Sequence, residues 1–300
     1  MVNRKLIREA IRNPRKALKV APYRFDVFIG KILFKNTAGF TKNVDGAVTQ
    51  TKFKKTQSKS MMKEQENPLV SEFRTQGHTK LGCIYDPSLI ERIAWKFDKI
   101  IEDEKISHPV STAIYDGKVY SREVPLIHKH IPEITNLIDK NVIDFFEQYY
   151  GGPFKILDLN AYRIYHIPND IAERQYFYSN DWHCDGQNTT WIKLFVYLTD
   201  VSDDDAPFNA QSIKRTKELL KMGFGDRTNP KLSKEILEDP AYSIRYTGSK
   251  GTTLVCNTEL CLHRATIPAK GHFRDLVMFV FAPSTEPLSD NWTSSLKGST

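Results

Sequence analysis

The stretch Asp181-Trp182-His183-Cys184-Asp185-Gly186 places a histidine and an aspartate two positions apart. Side chains at positions i and i+2 of a strand project from the same face, so this imidazole and this carboxylate can bind one ion together. A second imidazole, from His263, would complete a set of two histidines and one carboxylate. That set leaves coordination positions open and is typical of non-haem Fe(II) in oxygen chemistry.

Arg274 follows His263 by 11 residues, which is enough for a tight turn and a returning strand. Its guanidinium could present a rigid fork to a small carboxylate beside the metal. Three other histidines compete for the role of second imidazole, but His272 lies in a polar turn and His128 and His130 lie in a polar connection. We therefore expect His263 to be the distal ligand.

The chain resembles the phytanoyl-CoA dioxygenase-like family of Fe(II)/2-oxoglutarate-dependent oxygenases. The resemblance covers roughly residues 155–283 and is carried by four features: Trp182-His183-Cys184-Asp185, the apolar run Leu194–Val201, His263-Arg264-Ala265, and Arg274. An isolated His-x-Asp triplet is a weak signal. The same triplet followed by an apolar strand, a distal histidine and an arginine 11 residues later is a strong one.

The resemblance implies a function and a set of site residues. Fe(II) would be bound by three catalytic residues, His183, Asp185 and His263, and the distal carboxylate of 2-oxoglutarate by Arg274. O2 would be consumed, 2-oxoglutarate would become succinate and CO2, and a small-molecule, lipid-linked or glycan substrate would be hydroxylated. Two alternatives stay open: a metal-binding barrel without oxygenase chemistry, and a peripheral membrane or scaffold protein.

Three further residues near the motif have two interpretations each. Lys193 shares a strand face with Phe195 and Tyr197, and is either a further anion contact inside the barrel or a lysine on the solvent face. Tyr165 either contacts the co-substrate, as relatives suggest, or packs in the core. Cys184 alternates away from the metal and is expected to be a buried thiol rather than a ligand.

From residue 154 the hydrophobic period is two, which predicts a mainly β fold with flanking helices. Many short strands at this spacing favour a jelly roll, and the resemblance implies its double-stranded β-helix (cupin-like) form, with a core over 154–283. The predicted strands are Phe154–Ile167, Tyr176–Trp182, Trp191–Thr199, Ala241–Tyr246, Thr252–Cys256, Cys261–Ile267 and Leu276–Phe281.

Helical periodicity precedes the strands, and a helical buttress is expected over 81–150. One helix follows the capping pair Asp86-Pro87, and a second is predicted from Pro132 to Tyr149. Between Ser202 and Pro240 a polar excursion carries two more predicted helices, Ser212–Lys221 and Pro230–Leu237. An insertion of that length beside a site is usually a lid or a substrate wall.

The composition, with 40% hydrophobic and 26% charged residues in 300, indicates a globular protein with a sizeable core. No run of eighteen apolar residues occurs, so no membrane span is expected. The four cysteines form no CxxC pair, which favours a reducing, cytoplasmic location. Oligomeric state leaves no signal in the sequence.

The net charge of +7 is concentrated at the N-terminus, where residues 1–60 hold 15 Lys/Arg and three acidic residues. We expect two regions: a basic amphipathic segment and linker over 1–68, and the oxygenase domain over 69–300. Amphipathic stretches within residues 1–35 either lie peripherally on anionic lipid or dock on the protein's own core. The run Lys52–Lys55 lacks any surrounding nucleic-acid readout module, so no nucleic-acid partner is expected.

Overall fold

The computed structural model describes residues 67–172, 180–225 and 231–296. The amphipathic segment 1–35 and most of the linker therefore lie outside the described residues. Strands dominate the described ranges: β1 (His78–Cys83), β2 (His108–Pro109), β3 (Ile114–Tyr115), β4 (Lys118–Val119), β5 (Ser121–Pro125), β6 (Phe154–Tyr165), β7 (Ile192–Tyr197), β8 (Phe208–Gln211), β9 (Ser243–Tyr246), β10 (Thr252–Cys256), β11 (His263–Ala265) and β12 (Phe273–Pro283).

Two antiparallel sheets face each other. The large sheet has the strand order β1-β10-β7-β12-β6-β5-β2, and the small sheet has the order β11-β8-β9. One apolar cluster contains Tyr197 and Leu276 from the large sheet together with Phe208 and Tyr246 from the small one, so the sheets pack face to face. This arrangement is the jelly roll that the period-two pattern predicts.

The described ranges contain six α-helices: α1 (Pro68–Gln76), α2 (Pro87–Ile100), α3 (Lys140–Tyr150), α4 (Asn169–Ala172), α5 (Ile213–Lys221) and α6 (Lys234–Leu237). The first three pack against the large sheet. Short 3-10 helices occur at Ser111–Ala113, Ile127–Lys129, Pro132–Leu137, Asp203–Asp205 and Trp292–Ser295. Within the described ranges, every helix is too short or too polar to cross a membrane.

The start of α2 confirms the capping prediction. The Asp86 side chain accepts a hydrogen bond of 2.7 Å from the backbone N–H of Ser88, and Pro87 occupies the first turn. The helix then buries Ile90, Ile93 and Phe97 against the sheet. An N-terminal cap of this kind is worth about 1 kcal/mol.

The helix predicted from Pro132 to Tyr149 is two elements. A 3-10 helix covers Pro132–Leu137, and α3 begins only at Lys140. The division occurs because Asp139 accepts a hydrogen bond of 3.0 Å from the N–H of Val142 and so acts as a new N-cap. The end of α3 agrees with the predicted stop, since Gly151 adopts a left-handed conformation with φ 69°.

The two faces of the large sheet have different roles. Alternate residues of β12, Val277, Phe279 and Phe281, pack into the large core under the helices. In that core the rings of Phe146 and Phe281 stack with centroids 3.9 Å apart. The intervening Leu276 belongs to the cluster between the sheets. One face of the sheet therefore carries the structural core, and the other faces an interior that can hold a site.

Several elements differ from the sequence prediction. The stretch 81–150 is not only helical, because it also contributes β2 to β5, and β5 joins the large sheet beside β6. The strand predicted over Leu276–Phe281 begins earlier, at Phe273, and the helix predicted over 230–237 is shortened to Lys234–Leu237. Most of the predicted strand 176–182 lies outside the described residues.

Candidate metal centre

Three side chains from distant parts of the sequence converge between the sheets. The ligand atoms of His183, Asp185 and His263 all lie within 4.8 Å of one another. Oδ1 of Asp185 is 3.5 Å from Nε2 of His183 and 3.6 Å from Nε2 of His263. All three side chains are almost completely buried. The carboxylate oxygen and both imidazole nitrogens thus face one common point, as a facial metal triad requires.

Backbone hydrogen bonds bring the two halves of the motif together. His183 and His263 form an antiparallel bridge in which each N–H donates to the other residue's carbonyl, at 3.1 and 2.9 Å. The N–H of Asp185 donates to the carbonyl of Thr258 at 3.1 Å. The motif therefore continues the edge of β11, and the i, i+2 spacing places His183 and Asp185 on one side of it.

The outer nitrogen of each imidazole fixes the tautomer. Nδ1 of His183 lies 2.6 Å from the carbonyl oxygen of Asp181, and Nδ1 of His263 lies 3.1 Å from that of Cys261. A carbonyl oxygen can only accept, so Nδ1 carries the proton and Nε2 presents its lone pair to the common point. Burial, with His183 nearby, lowers the pKa of His263 to about 3. His263 is therefore neutral at physiological pH, which is the form that binds a metal.

Lys193 faces the interior of the barrel and not the solvent. Its Nζ lies 2.7 Å from Oδ2 of Asp185. Burial opposes both charges, yet Lys193 holds the pKa of Asp185 well below its usual range, and Asp185 raises that of Lys193. Because the ammonium occupies Oδ2, Oδ1 is the oxygen left to face the two histidines. Of the two orientations that the sequence left open, the structure has the inward one, and the partner of Lys193 there is the carboxylate of Asp185.

Arg274 is a buried cation without a carboxylate partner among the described residues. It is 2% exposed, and one of its terminal N–H groups donates to the carbonyl of Ala206. Its Nε has no hydrogen-bond partner, and its guanidinium carbon lies 6.0 Å from the ring centroid of Tyr197. Burial lowers the pKa of Arg274. A buried guanidinium with unused N–H capacity is suited to an incoming carboxylate.

A cavity of about 300 Å³ includes both the triad and Arg274 in its lining. Its other walls are largely apolar or aromatic and include Tyr162, Ile164, Phe195, Tyr197, Phe208 and Leu276. The ring of Phe208 stacks on His263 with centroids 5.5 Å apart. A cavity with few polar groups at fixed positions is the usual form of a small-ligand site.

Tyr165, the expected co-substrate contact, is not brought to this cavity. Its hydroxyl donates to Oε1 of Glu102 at 2.5 Å, on the face of β6 that also directs Arg163 to Asp98 of α2. The reason is the strand period of two, because Ile164 is the residue that pairs with Arg274. Tyr162 and Ile164 line the cavity in place of Tyr165.

Two other residues near the site, Cys184 and Glu123, can be compared with the sequence prediction. Cys184 is buried in a separate cluster with Trp182 and Leu219, as its alternation away from the metal predicts. Glu123 lines the cavity from β5, and sequence reasoning did not identify it. Only the pairing of β5 with β6 could have indicated a place for Glu123 at the site, since Glu123 lies opposite Tyr162.

Comparison with solved structures finds a similar fold in two proteins of low sequence identity. The chain is similar to the non-heme alpha ketoglutarate dependent epimerase SnoN from nogalamycin biosynthesis, with TM-score 0.53, 12% identity, and coverage of 72% of this chain and 82% of SnoN. It is also similar to EctD from S. alaskensis with bound Fe, with TM-score 0.53, 13% identity, and coverage of 75% and 80%. No protein-family model matches the chain, and no curated protein matches it in sequence. The jelly-roll fold is therefore shared with these enzymes.

Proposed function

We propose that the protein is an Fe(II)/2-oxoglutarate-dependent dioxygenase that hydroxylates a small-molecule substrate and whose motifs resemble those of phytanoyl-CoA dioxygenases. One observation carries this proposal. A cavity between the two sheets is lined both by a His-Asp-His triad and by a buried arginine with no carboxylate partner among the described residues. The fold shared with SnoN, an alpha ketoglutarate dependent epimerase, and with EctD, whose structure contains bound Fe, supports it.

The residues present fit the metal and the co-substrate. Two imidazole nitrogens and one carboxylate oxygen would supply the three ligands of an Fe(II) site that keeps positions open. The orphaned Nε of Arg274 and its unpaired positive charge suit the distal carboxylate of 2-oxoglutarate. The keto acid end of the co-substrate would then face the triad. When bound, Fe(II) supplies the oxygen chemistry that oxidises 2-oxoglutarate and the substrate.

The chain's own residues orient the reactants and exclude water. Asp181 and Cys261 hold the two imidazoles through their carbonyl oxygens, and Lys193 holds Oδ2 of Asp185. Phe195 and Phe208 form apolar walls of the cavity that the triad and Arg274 also line. In such walls a guanidinium–carboxylate contact is stronger than in water, because the dielectric constant is lower.

The experiment is an anaerobic titration of the Fe(II) protein with 2-oxoglutarate, followed by the metal-to-ligand charge-transfer absorbance and then by succinate formation in air. Wild type should develop the band and form succinate. Asp185→Ala should lose both, because a facial triad deprived of its carboxylate holds iron weakly. The matched control is His272→Ala, which removes a histidine that lies outside the cavity beside Asp205.

The result also separates this proposal from a metal-binding barrel. Iron binding without a charge-transfer band and without succinate would show that the site binds metal but does not use 2-oxoglutarate. Full iron stoichiometry and wild-type turnover in Asp185→Ala would show that the triad is not the metal site.

A further inference from the structure

Two loops that meet beside the metal centre are tied together by hydrogen bonds. The first loop follows Asp185 and leads to β7, and the second connects β10 to β11. The backbone N–H of Asp185 donates to the carbonyl of Thr258 at 3.1 Å. Near the other end of the first loop, the side-chain amide of Asn257 donates to the carbonyl of Thr189 at 3.0 Å. The second loop therefore supports the first at both ends.

The middle of the first loop is held by a buried carboxylate. Glu259, in the second loop, is 1% exposed, which is rare for a charged residue. It accepts a hydrogen bond from the backbone N–H of Gln187, two residues after Asp185. Between these two residues, Gly186 has φ 70°, in the left-handed region that glycine enters most easily. Because a hydrogen bond to a carboxylate is stronger than one between neutral groups, Glu259 can fix the chain beyond this glycine.

Glu259 also acts on Lys193. The pairing of β10 with β7 places Cys256 opposite Lys193, and the second loop begins at the next residue. Burial opposes the charge of Lys193, but the carboxylates of Asp185 and then of Glu259 raise its pKa. The ammonium of Lys193 lies 2.7 Å from Oδ2 of Asp185. It therefore lies in the field of two carboxylates, of which one is a proposed metal ligand.

Metal binding would change the charge balance around this lysine. Without metal, Asp185 neutralises Lys193 directly. A divalent ion on Oδ1 of Asp185 would take up that negative charge and bring a second cation close to the ammonium. Like charges repel more strongly in a buried site than in water, because the dielectric constant is lower. Glu259 is not one of the three grouped ligands, so its charge would still act on Lys193 when metal is bound.

From these contacts we propose that Glu259 is a positioning residue for the metal ligand Asp185. Its carboxylate fixes the loop after Asp185 through the N–H of Gln187, and it keeps Lys193 on Oδ2 when a metal takes Oδ1. The inference rests on the proposed function, because it concerns the metal centre proposed there. Glu259 lies outside the sequence motifs, four residues before His263.

The test measures the Kd of Co(II), used in place of Fe(II), from its visible absorbance in the full chain at a temperature well below unfolding. Glu259→Gln keeps an oxygen that can accept from Gln187 but removes the charge, so it should weaken Co(II) about tenfold. Glu259→Ala removes both links and should weaken Co(II) about a hundredfold. Its Co(II) absorption bands should also differ from those of wild type, because Asp185 is no longer held in one direction. A role in folding alone would lower stability and change neither the bands nor the Kd.

The matched control is Asp275→Asn. Asp275 is a buried carboxylate that accepts two hydrogen bonds from Arg163, at 2.8 and 2.7 Å, and it does not belong to the metal-ligand group. This variant should lose stability and keep the wild-type Co(II) affinity.

Wild-type Co(II) affinity in Glu259→Gln overturns the inference, whether or not Glu259→Ala folds. The reference for the metal centre itself is Asp185→Ala. If wild type binds Co(II) no more tightly than Asp185→Ala, the proposed metal centre is wrong, and the role of Glu259 falls with it. If wild type binds Co(II) tightly and Glu259→Gln equals it, only the role of Glu259 is wrong.

Discussion

Replacing Arg274 with methionine should make the free protein more stable and at the same time prevent it from binding 2-oxoglutarate. The guanidinium is 2% exposed, and among the described residues no carboxylate neutralises it. Methionine fills a similar volume without a charge. Exchanging buried ionic groups for apolar ones often stabilises by about 1–4 kcal/mol, and the lost hydrogen bond to Ala206 offsets about 1 kcal/mol of that. We therefore expect the melting temperature of the ligand-free variant to equal or exceed that of wild type.

With 2-oxoglutarate present the order should reverse, because the ligand should stabilise wild type more than Arg274→Met. At a concentration one hundred times its Kd, a ligand stabilises a protein by about 2.7 kcal/mol. For a domain of this size that corresponds to a rise of about 5–11 °C in Tm. Truncating one partner of a buried guanidinium–carboxylate pair costs about 2–5 kcal/mol, which weakens affinity roughly 30- to 3000-fold. At a 100-fold loss the same concentration would stabilise by only about 0.4 kcal/mol, or about 1 °C.

The assay is thermal unfolding of the Zn(II) protein with and without 2-oxoglutarate, in wild type, Arg274→Met and Arg274→Lys. Lysine should recover only part of the ligand effect, because a point charge cannot reproduce the planar fork. Arg245→Met is the control, since Arg245 is exposed and paired with Asp203. If Arg274→Met keeps the full wild-type shift, another cation anchors the distal carboxylate. Lys193 is then the first candidate, because it lines the same cavity.

Three other substitutions test separate parts of the structure. Lys193→Met should destabilise the metal-free protein by about 3–5 kcal/mol, because it leaves the Asp185 carboxylate buried alone, and metal should stabilise this variant more than wild type in thermal unfolding. Tyr165→Phe should leave 2-oxoglutarate affinity within about twofold of wild type by titration, since its hydroxyl bonds Glu102 outside the cavity. Burial lowers the pKa of His78 from 6.5 to about 4, so the unfolded chain binds a proton first as the pH falls below 6.5. The lowered pKa of His78 should contribute about 2 kcal/mol to the loss of stability from pH 7 to pH 5 in urea unfolding, and His78→Gln should remove that contribution while leaving the one from His263.

The sequence predicts the His183–Asp185 pair and the strands because both depend on local spacing, whereas His263 is predicted from its resemblance to the family pattern. His183 and Asp185 are two residues apart, and an i, i+2 pair lies on one face wherever the chain is extended. The cap at Asp86 is visible for the same reason, since its side chain bonds the backbone N–H of Ser88, two residues further on. Features of this kind need no knowledge of the tertiary structure.

The face of the sheet on which each side chain lies could not be predicted in the same way. Leu194 and Val196 are buried on one face of β7, and Phe195 and Tyr197 are buried on the other. A strand buried on both faces has no polar alternation to show which side is the cavity, so the partner of Lys193 had to come from the structure. The position of Tyr165 outside the cavity could not be predicted for a related reason. Its face is set by the register in which Ile164 opposes Arg274, and register is a long-range property.

The location of the core explains how the protein tolerates charges in its interior. The large apolar cluster lies between the helices and the outer face of the sheet, where Phe146, Phe154 and Phe281 pack against one another. The buried charges of Lys193 and Arg274 lie on the opposite face of the same strands. Successive residues of β12 point to opposite faces of the sheet, so the rigid packing of Phe279 and Phe281 on one face fixes the positions of Arg274 and Leu276 on the other. The packed aromatic side chains and the buried charge therefore lie on different faces. Substitutions in the cavity should therefore change ligand binding strongly and the helical core weakly. A buried arginine that destabilises the free protein can then be retained because it binds the carboxylate of a ligand.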